Sequence, residues 1–457
     1  MKIHFIAIGG SVMHQLAVAL KDNGHEVTGS DDHIFEPSLS ILKQHGLLPE
    51  STGWHPERVT ADIDAVLLGM HARKDNPELQ KARELNLKVY SFPDFIYEHA
   101  RDKQRIVVAG SHGKTTVTSI MVHVLSELNM QADYLAGAVP SPGMPSVRLS
   151  EDAPIMIIEG DEYTTSALDL QPKFLKYHHH IGIITGIAWD HINVFPSFNT
   201  YYQQFVKFAE NSCKAGTLVY CNEDLQVKKL IKSAGIPEDV VLQPYGLPKH
   251  VVKDGLTWLK DSDGNLHETG IFGDHNLLNL EAARLVLLKL GVRNHEFYKA
   301  VKSFKGASLR MNLLGSKYNT RVFRDFAHAP SKVQATVAAV KKQFPRQAVT
   351  ACLELHTFSS LTKDFLPQYA GTMQLAEQAV VYYNPEVFER KKLQPFTPDD
   401  LKAAFEVKNL RVFTSAQALQ GFLLQQKWQE HNLLLMSSAN FGGLDLNELA
   451  KKVLGLA

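Results

Sequence analysis

The chain has 457 residues, which is too long for one hydrophobic core, and we expect it to divide into separate domains. Lys plus Arg and Asp plus Glu each count 48, so no net charge attracts nucleic acid or an anionic membrane, and neither is expected as a partner. The 3 cysteines form no C-x-x-C pair, which favours buried, reduced thiols in a cytoplasmic protein over disulfides or a zinc site. No apolar run predicts a membrane span.

The first hundred residues alternate between strand and helix patterns, which is typical of a parallel sheet covered by helices. A strand is predicted at KIHFIAIG, a helix at SVMHQLAVALKDNG, and further strands at HEVTGSD, IDAVLLG and LKVYSF. Gly9 and Gly10 after the first strand, with Asp31 about 20 residues on, resemble a dinucleotide fingerprint. Ser11 and His14 depart from the G-x-G-x-x-G pattern. We therefore expect a nucleotide diphosphate here rather than a nicotinamide.

The stretch VVAGSHGKTTVTSIM, residues 107–121, carries two glycines and Lys114 between an apolar strand and a helix. Glycines let backbone N–H groups approach phosphate oxygens, the helix N-terminus adds positive potential, and the lysine adds a full charge. Thr115 stands where a hydroxyl usually ligates the Mg²⁺ of a bound nucleotide. The run departs from a full Walker A motif, because Val108 occupies the position of the first glycine. The stretch predicts an ATP-type phosphate loop.

Acidic residues and a histidine follow the neighbouring strands. Glu159 comes directly after the apolar run PIMII, and Asp190 and His191 follow IGIITGIAW. The carboxyl ends of parallel strands share one edge of a sheet, so we expect these side chains to converge on the phosphate loop. Asp161 and Glu162 are expected to form a solvated turn or a helix cap.

Other candidates lie further along the chain. Asn276 and Asn279 share one helical face, and either amide could cap the helix or read an adenine edge. Asp325 and His328 in DFAHAP form a candidate site or a capped loop at the end of a strand. The histidine run 178–180 lies at the entry of a strand, where alternate side chains point to opposite faces, so we do not expect it to bind a metal.

Two breaks in the pattern divide the chain. The polar segment EHARDKQR precedes a strand at residues 105–109 and predicts a boundary near residue 103. Strand and helix alternation restarts after SFKGASLR, which predicts a second boundary near residue 306. We therefore predict an α/β protein of three domains, at residues 1–102, 103–306 and 307–457.

The ordered motifs resemble the Mur ligase family, the ATP-dependent amide ligases of peptidoglycan synthesis, over nearly the whole chain. The segments that carry the resemblance are IGGSVMHQLAVAL with GSDD, AGSHGKTT, EGDEY, DHINVF, GDHNLLNLEAA, SFKGASLR and DFAHAP. The resemblance implies a Rossmann-like N-terminal domain for a UDP-sugar and a central P-loop ATPase domain with a mostly parallel sheet. It also implies a Rossmann-like C-terminal domain for the incoming amine, with ATP and Mg²⁺ as cofactors.

The resemblance further implies residue roles. One Mg²⁺ would lie on Thr115 and Glu159, and a second on His191. Contacts to the nucleotide would come from Gly110, Ser111, His112, Gly113, Lys114, Thr115, Thr116, Asn276, Asn279, Arg310 and Asp325. Contacts to the UDP-sugar would come from Gly9, Gly10, Ser11, Val12, Ser30 and Asp31. Catalysis would involve Lys114, His191, Arg310 and His328. Because the ammonium form of an amine cannot attack, a base is also required, and His328 is the candidate. Lys207 is one residue out of register with the carbamylated lysine of some sibling ligases and is not assigned.

Four segments bear on the amine substrate. HIFEPSLSIL, HARKDNPEL, GDEYTTSALDLQPKF and MSSANFGG resemble the murein peptide ligases, which join L-Ala-γ-D-Glu-meso-diaminopimelate to UDP-N-acetylmuramate. The tripeptide is therefore the expected amine, with L-alanine as the alternative on the same sugar. His356 stands where we expect an arginine for the far carboxylate of the peptide. A nicotinamide oxidoreductase or a nucleotide-gated switch would account for only some of the motifs.

Overall fold

The computed structural model describes residues 1–70, 72–141, 143–166, 168–192, 194–307 and 310–456. His71, Ala167, Asn193, Ser308 and Leu309 of the motifs quoted above lie outside the described residues. The chain forms two compact units. The first comprises Met1–Ile187, Asn199–Tyr245 and Ala282–Gly291, and the second comprises Ala188–Phe198, Gly246–Glu281 and Val292–Ala457. The domain boundaries expected near residues 103 and 306 stay predictions.

The first unit begins with a parallel sheet in the order β2-β1-β3-β4. The strands are β1 (Lys2–Ile6), β2 (Glu26–Ser30), β3 (Ala65–Leu68) and β4 (Val89–Ser91). The helices are α1 (Met13–Asp22), α2 (Ser38–Gln44), α3 (Pro77–Glu84) and α4 (Phe92–His99). Each strand predicted in this region is confirmed. The glycine pair lies in the turn between β1 and α1, as the fingerprint requires.

A larger sheet follows in the first unit, in the order β11-β10-β9-β5-β8-β6-β7. Its strands are β5 (Gln104–Ala109), β6 (Asp133–Leu135), β7 (Val147–Arg148), β8 (Ile155–Glu159), β9 (Ile181–Ile184), β10 (Thr217–Cys221) and β11 (Val241–Tyr245). Its helices are α5 (Lys114–Glu127), α6 (Phe198–Glu210) and α7 (Leu225–Ser233). Strand β5 is central and pairs in parallel with β8 and β9, so the carboxyl ends of these strands lie side by side.

The second unit contains an antiparallel sheet, β12-β13-β14, and a mostly parallel sheet in the order β15-β16-β20-β17-β18-β19. The strands are β12 (His250–Lys253), β13 (Leu256–Lys260), β14 (Leu266–Thr269), β15 (Asn312–Lys317), β16 (Thr320–Asp325), β17 (Ala348–Glu354), β18 (Gln378–Tyr382), β19 (Leu410–Phe413) and β20 (His431–Met436). The helices are α8 (Asp274–Lys289), which continues into the first unit, α9 (Asn294–Val301), α10 (Pro330–Gln343), α11 (Glu386–Lys391), α12 (Pro398–Phe405), α13 (Ala416–Leu424) and α14 (Leu446–Val453). The α/β fold class with mostly parallel sheets is confirmed.

The six-stranded sheet of the second unit is buried on both faces, as expected for parallel strands between helices. Successive side chains of β17 point to opposite faces of this sheet and belong to two hydrophobic clusters. Ala351 and Leu353 share one cluster with α10, and Cys352 shares the other with α13 and α14. Cys221 and Cys352 are free and buried, as expected, whereas the free thiol of Cys213 is only partly buried. Among the described residues, no helix combines the length and apolar character that a bilayer crossing requires.

A buried charge cluster joins α4 to the larger sheet within the first unit. The carboxylate of Asp133, on β6, accepts hydrogen bonds from Lys103 Nζ at 2.6 Å and Ser150 Oγ at 2.7 Å, and His99 Nε2 lies 2.9 Å away. Burial would raise the pKa of Asp133, but the bonds from His99, Lys103 and Ser150 outweigh it and lower the pKa. The cluster therefore stabilises the fold in the ionised form of this carboxylate.

Asp133→Asn is expected to lower the free energy of unfolding by about 3 kcal/mol at neutral pH, because the buried Lys103 loses its partner charge. The pKa of Asp133 lies below its usual 3.8 in the folded protein. Its contribution is therefore present above about pH 4 and is lost as the pH falls through the lowered pKa. Urea unfolding of both proteins near pH 7 and pH 3 measures this difference, with exposed Asp152→Asn as the control. An equal difference at both pH values would contradict the prediction.

Candidate active site

The predicted phosphate loop lies between β5 and α5, at the carboxyl edge of the larger sheet. Gly110 has a φ of 138° and Gly113 a φ of 78°, and α5 begins at Lys114. Two hydrogen bonds hold the loop to the segment that follows β9. Ser111 N donates to Gly186 O at 2.9 Å, and Thr185 Oγ1 donates to His112 O. The predicted strand, turn and helix are confirmed, and the contacts with a nucleotide stay predictions.

Lys114 lies at the N-terminus of α5 and is held from both sides. Its Nζ donates to Gly110 O at 2.6 Å and to Glu162 Oε2 at 2.7 Å. Burial alone would lower the pKa of Lys114, but the carboxylates of Glu162, Asp161 and Glu159 outweigh it and raise the pKa. The ammonium therefore stays charged at neutral pH, as electrostatic stabilisation of phosphate requires.

The expectation of a solvated turn at Glu162 is wrong. Its side chain is buried and its carboxylate is paired with Lys114. Asp161 has different surroundings from Glu162. Its Oδ2 accepts a hydrogen bond from Lys173 Nζ at 2.5 Å, and its side chain is partly exposed. The pairing of Glu162 depends on β8 lying beside β5, which the sequence around EGDEY does not reveal.

Thr115 and Glu159 come together as the convergence argument predicts. Thr115 Oγ1 donates to Glu159 Oε1 at 2.7 Å, and Gly137 N donates to Glu159 Oε2 at 2.6 Å. A hydroxyl beside a carboxylate is a suitable oxygen donor pair for Mg²⁺, which protein sites often bind through one or two carboxylates and substrate phosphates. The residues present therefore fit the implied metal.

Tyr201 of α6 also belongs to this cluster and was not predicted from the sequence. Its hydroxyl lies 2.8 Å from Ser111 Oγ and donates to Glu162 Oε1 at 3.3 Å. Tyr201 thus connects the phosphate loop to the partner of Lys114. In the sequence it belongs to an aromatic face of an amphipathic helix, which is the ordinary pattern of a core residue.

The glycine turn after β1 is closed by Asp31. Gly9 N donates to Asp31 Oδ2 at 2.7 Å, and a Cβ on Gly9 would lie 2.9 Å from the same oxygen. Burial raises the pKa of Asp31, and the neighbouring Asp32 adds to this effect. Ser30 is buried beside it, whereas Ser11 is exposed and Val12 partly exposed at the start of α1. The structure brings the predicted UDP-sugar residues together around this turn.

In the second unit, Asp190 lies near Lys332 at the start of α10. His191 has a φ of 56°, and its N–H donates to Asp190 Oδ1 at 2.8 Å. Asp190 Oδ2 lies 3.6 Å from Lys332 Nζ. Burial would raise the pKa of Asp190, but Lys332, His191 and His328 outweigh it and lower the pKa to about 2. The ion pair of Asp190 with Lys332 was not predicted, because α10 lies far along the chain.

His328 is a weak base in its buried position. Burial, followed by the charge of Lys332, lowers the pKa of His328 to about 3. Such a weak base would take a proton from an α-ammonium group, whose pKa is several units higher, only at a substantial free-energy cost. This cost argues against the general-base hypothesis for His328.

Asp325 and Arg310 lie at the end of β16. The carboxylate of Asp325 accepts from Met311 N at 2.6 Å and from Ala327 N at 2.7 Å, and so fastens the loop before His328. The Arg310 guanidinium lies 4.5 Å from the ring centroid of Phe326. These contacts give Asp325 a structural role in shaping the site; its contact with a nucleotide stays a prediction.

The two asparagines of α8 are both buried on one face, as predicted. Asn276 Nδ2 donates to Phe272 O at 2.9 Å, and the Phe272 ring packs 5.7 Å from that of Phe323 on β16. The segment before α8 thus packs, through Phe272, against the strand that ends at Asp325. The local bond favours a role in fixing the start of α8, and adenine recognition stays a prediction.

The histidine run and Lys207 take no part in these clusters. His179 is buried, with Nε2 3.0 Å from Ser212 Oγ and its ring stacked on Phe208, whereas His180 Nδ1 accepts from Arg105 N. Their side chains thus have separate structural surroundings. Lys207 is exposed on α6. The predicted residues accordingly form groups within one unit each: the glycine turn and the phosphate loop in the first, and His191, Asn276, Asn279, Arg310, Asp325 and His328 in the second.

Comparison with known families agrees with this fold and loop. Residues 2–104 match the Mur ligase family, catalytic domain, and residues 108–287 match the Mur ligase middle domain. The chain belongs to the Mur ligase family and is an ATP-dependent amide ligase. Family membership favours this class over an oxidoreductase or a switch protein.

One sequence relative and two solved structures show the extent of the similarity. The UDP-N-acetylmuramate–L-alanine ligase of Clostridium kluyveri is 31% identical over 390 residues, which cover 82% of each chain. The UDP-N-acetylmuramate–alanine ligase structure from Thermotoga maritima has a TM-score of 0.70 at 21% identity, covering 100% of this chain and 98% of that one. A murein peptide ligase structure from Psychrobacter arcticus has a TM-score of 0.68 at 22% identity, covering 100% and 99%. These two structures support the fold.

Proposed function

We propose that the protein joins the lactyl carboxylate of UDP-N-acetylmuramate to the amine of L-alanine, with cleavage of ATP to ADP and phosphate. The observation that carries the ligase assignment is the phosphate loop, in which a charged Lys114 at a helix N-terminus lies beside the Thr115–Glu159 donor pair. The choice of L-alanine rests on the relative at 31% identity, which is named for that substrate. A cytoplasmic location is part of the same proposal, because the reaction uses ATP and a UDP-sugar.

The chemistry begins with an unreactive carboxylate. Direct attack of an amine on it would require oxide to leave, so the carboxylate first accepts the γ-phosphoryl group of ATP and becomes an acyl phosphate. The amine then attacks the acyl carbon, phosphate leaves, and an amide forms. Phosphoryl transfer needs mainly positioning and neutralisation of charge. Lys114 supplies a fixed positive charge, and Arg310 is proposed to supply another.

Mg²⁺ would be held by Thr115 and Glu159, with His191 proposed as the ligand of a second ion. When bound, the metal neutralises phosphate charge in the transition state. Asp190 fixes the backbone at His191 through the bond to its N–H. We propose that His328, which stays neutral at physiological pH, helps to position the Asp190–Lys332 pair instead of accepting a proton.

The nucleotide and sugar contacts follow the motif residues. We propose that the loop Gly110–Thr116 binds the phosphates of ATP through backbone N–H groups other than that of Ser111, which donates to Gly186 O. We also propose that Asn276 and Asn279 bind the adenine. The UDP-sugar is proposed to bind at the turn formed by Gly9 and Asp31. Because Gly9 N donates to Asp31 and Gly10 N donates to Ala7 O, the N–H group of Ser11 is the candidate donor for a diphosphate at this turn.

The tripeptide L-Ala-γ-D-Glu-meso-diaminopimelate is the second candidate amine. It is favoured by the four segments that resemble the murein peptide ligases, including MSSANFGG after β20. Both candidates use the same sugar and the same acyl phosphate, so the phosphate loop does not distinguish them.

Phosphate release by the purified protein with ATP, Mg²⁺ and UDP-N-acetylmuramate tests the proposal. We expect kcat/KM to be at least about 100-fold higher with L-alanine than with the tripeptide, since misplacement of the reacting amine costs about this factor. Omission of the sugar and omission of the amine are the controls. The reverse preference would establish the tripeptide as substrate. Absence of amide product with either amine would refute the proposed reaction.

A further inference from the structure

The strand order of the six-stranded sheet in the second unit predicts a ligand crevice at its carboxyl edge. From β17 the chain continues through β18 to β19 on one side, and it then returns to β20 on the other side of β17. Ligands of open α/β sheets bind where the strand order reverses in this way, outside the carboxyl ends of the strands. The loops that follow β17 and β20 therefore flank a binding crevice.

The loop after β20 is fastened by a buried carboxylate. Glu354, the last residue of β17, accepts hydrogen bonds at Oε2 from Ser437 Oγ and from Phe441 N, the latter at 2.7 Å. Ser437 Oγ also accepts from Ala439 N at 2.7 Å. Hydrogen bonds thus fasten this side of the crevice, and the carboxylate of Glu354 is already engaged with the protein.

The opposite side of the crevice carries a cation. Lys391, the last residue of α11, donates from Nζ to His356 O at 2.6 Å, directly on the loop after β17. Its side chain is partly buried, and among the described residues no carboxylate lies within ion-pair distance of its Nζ. Burial, together with the charge of Arg390, lowers the pKa of Lys391. An ammonium that is partly desolvated without a counter-ion marks a candidate site for an anion.

We propose that Lys391 binds a carboxylate of the incoming amine substrate. This inference rests on the proposed function and extends it to the residue that recognises the amine. An ammonium has three N–H donors, of which one is used by His356 O, so two remain for carboxylate oxygens. The backbone carbonyl of His356 orients Lys391. The sequence has a histidine where an arginine was expected at position 356, and Lys391 of α11 supplies the positive charge instead.

Lys391→Met is expected to raise KM for the amine about 10- to 100-fold, the usual effect of losing a charge-assisted hydrogen bond. The KM values for ATP and UDP-N-acetylmuramate and the value of kcat should change less than about threefold. Lys391→Arg should retain most of the affinity. Lys392→Met, which removes the adjacent and exposed ammonium, is the matched control. Thermal unfolding of each variant checks that the fold is intact.

A substrate without the carboxylate distinguishes recognition from a structural role. The wild-type protein should prefer its amine substrate over the corresponding carboxamide, for example L-alanine over L-alaninamide. In Lys391→Met this preference should disappear, so that L-alanine and L-alaninamide have about the same kcat/KM. An unchanged preference in an active Lys391→Met enzyme would overturn this inference alone. Absence of ligase activity in the wild-type protein would overturn the proposed function, and this inference with it.

Discussion

Lys114→Met is expected to lower ATP-dependent phosphate release by about 10²- to 10³-fold or more, the usual effect of removing one group that stabilises transition-state charge. The ammonium lies at the N-terminus of α5, within the loop that is proposed to hold the transferring phosphate. Methionine keeps much of the side-chain volume but removes the charge and both hydrogen bonds of Nζ. Phosphate release with saturating UDP-N-acetylmuramate and amine measures the effect.

Loss of Lys114 also leaves Glu162 buried without its partner, which would cost about 3–5 kcal/mol of stability. The double variant Lys114→Met/Glu162→Gln removes both charges and is expected to recover most of this stability without recovering activity. Lys214→Met, at an exposed lysine of the same unit, controls for a nonspecific loss of positive charge. Near-normal turnover in the folded double variant would refute the role of Lys114.

Gly110→Ala is expected to lower the free energy of unfolding by about 3 kcal/mol or more and to abolish stabilisation by ATP. A Cβ at this position would lie 2.0 Å from Thr185 Oγ1 and 3.0 Å from Thr185 N, and the φ of 138° is unfavourable for a side chain. The loop must therefore move away from β9, and its N–H groups lose their arrangement around a phosphate. Thermal unfolding with and without ATP and Mg²⁺ measures both effects.

Gly24→Ala is the matched control, because its φ of 82° is also positive but a Cβ there would meet nothing within 4 Å. It should cost only about 1 kcal/mol, the strain of the backbone alone. Thr185→Ala in the Gly110→Ala background should recover part of the stability, since the contact with Thr185 N remains. Equal effects of the two glycine substitutions would show that the close approach of β9 is unimportant.

The α/β class and most strands were predictable because buried parallel strands are short apolar runs separated by helical periodicity. The antiparallel strands β12, β13 and β14 were not predicted. Many of their side chains are exposed, so their hydrophobic pattern is weak. The residues that form the glycine turn and the phosphate loop were predictable, because each of these motifs lies within one contiguous strand, turn and helix.

The partners of these residues were not predictable. Tyr201 is 90 residues from Ser111, and its helical pattern is that of any core aromatic residue. Glu162 is 48 residues from Lys114 and looked like part of a solvated turn. Each contact requires that β8 or α6 pack beside the loop, and the order of strands is a property of the whole sheet.

The sequence by itself determined the family, the fold class and the position of the phosphate loop, because these depend on local periodicity and on motifs that are contiguous in the chain. Only the tertiary structure decided which carboxylate neutralises Lys114, which groups surround Asp190, and which cation lies in the crevice beside His356. These contacts join side chains from separate elements. Their charges and pKa values follow from burial and distance, which arise only when the chain has folded.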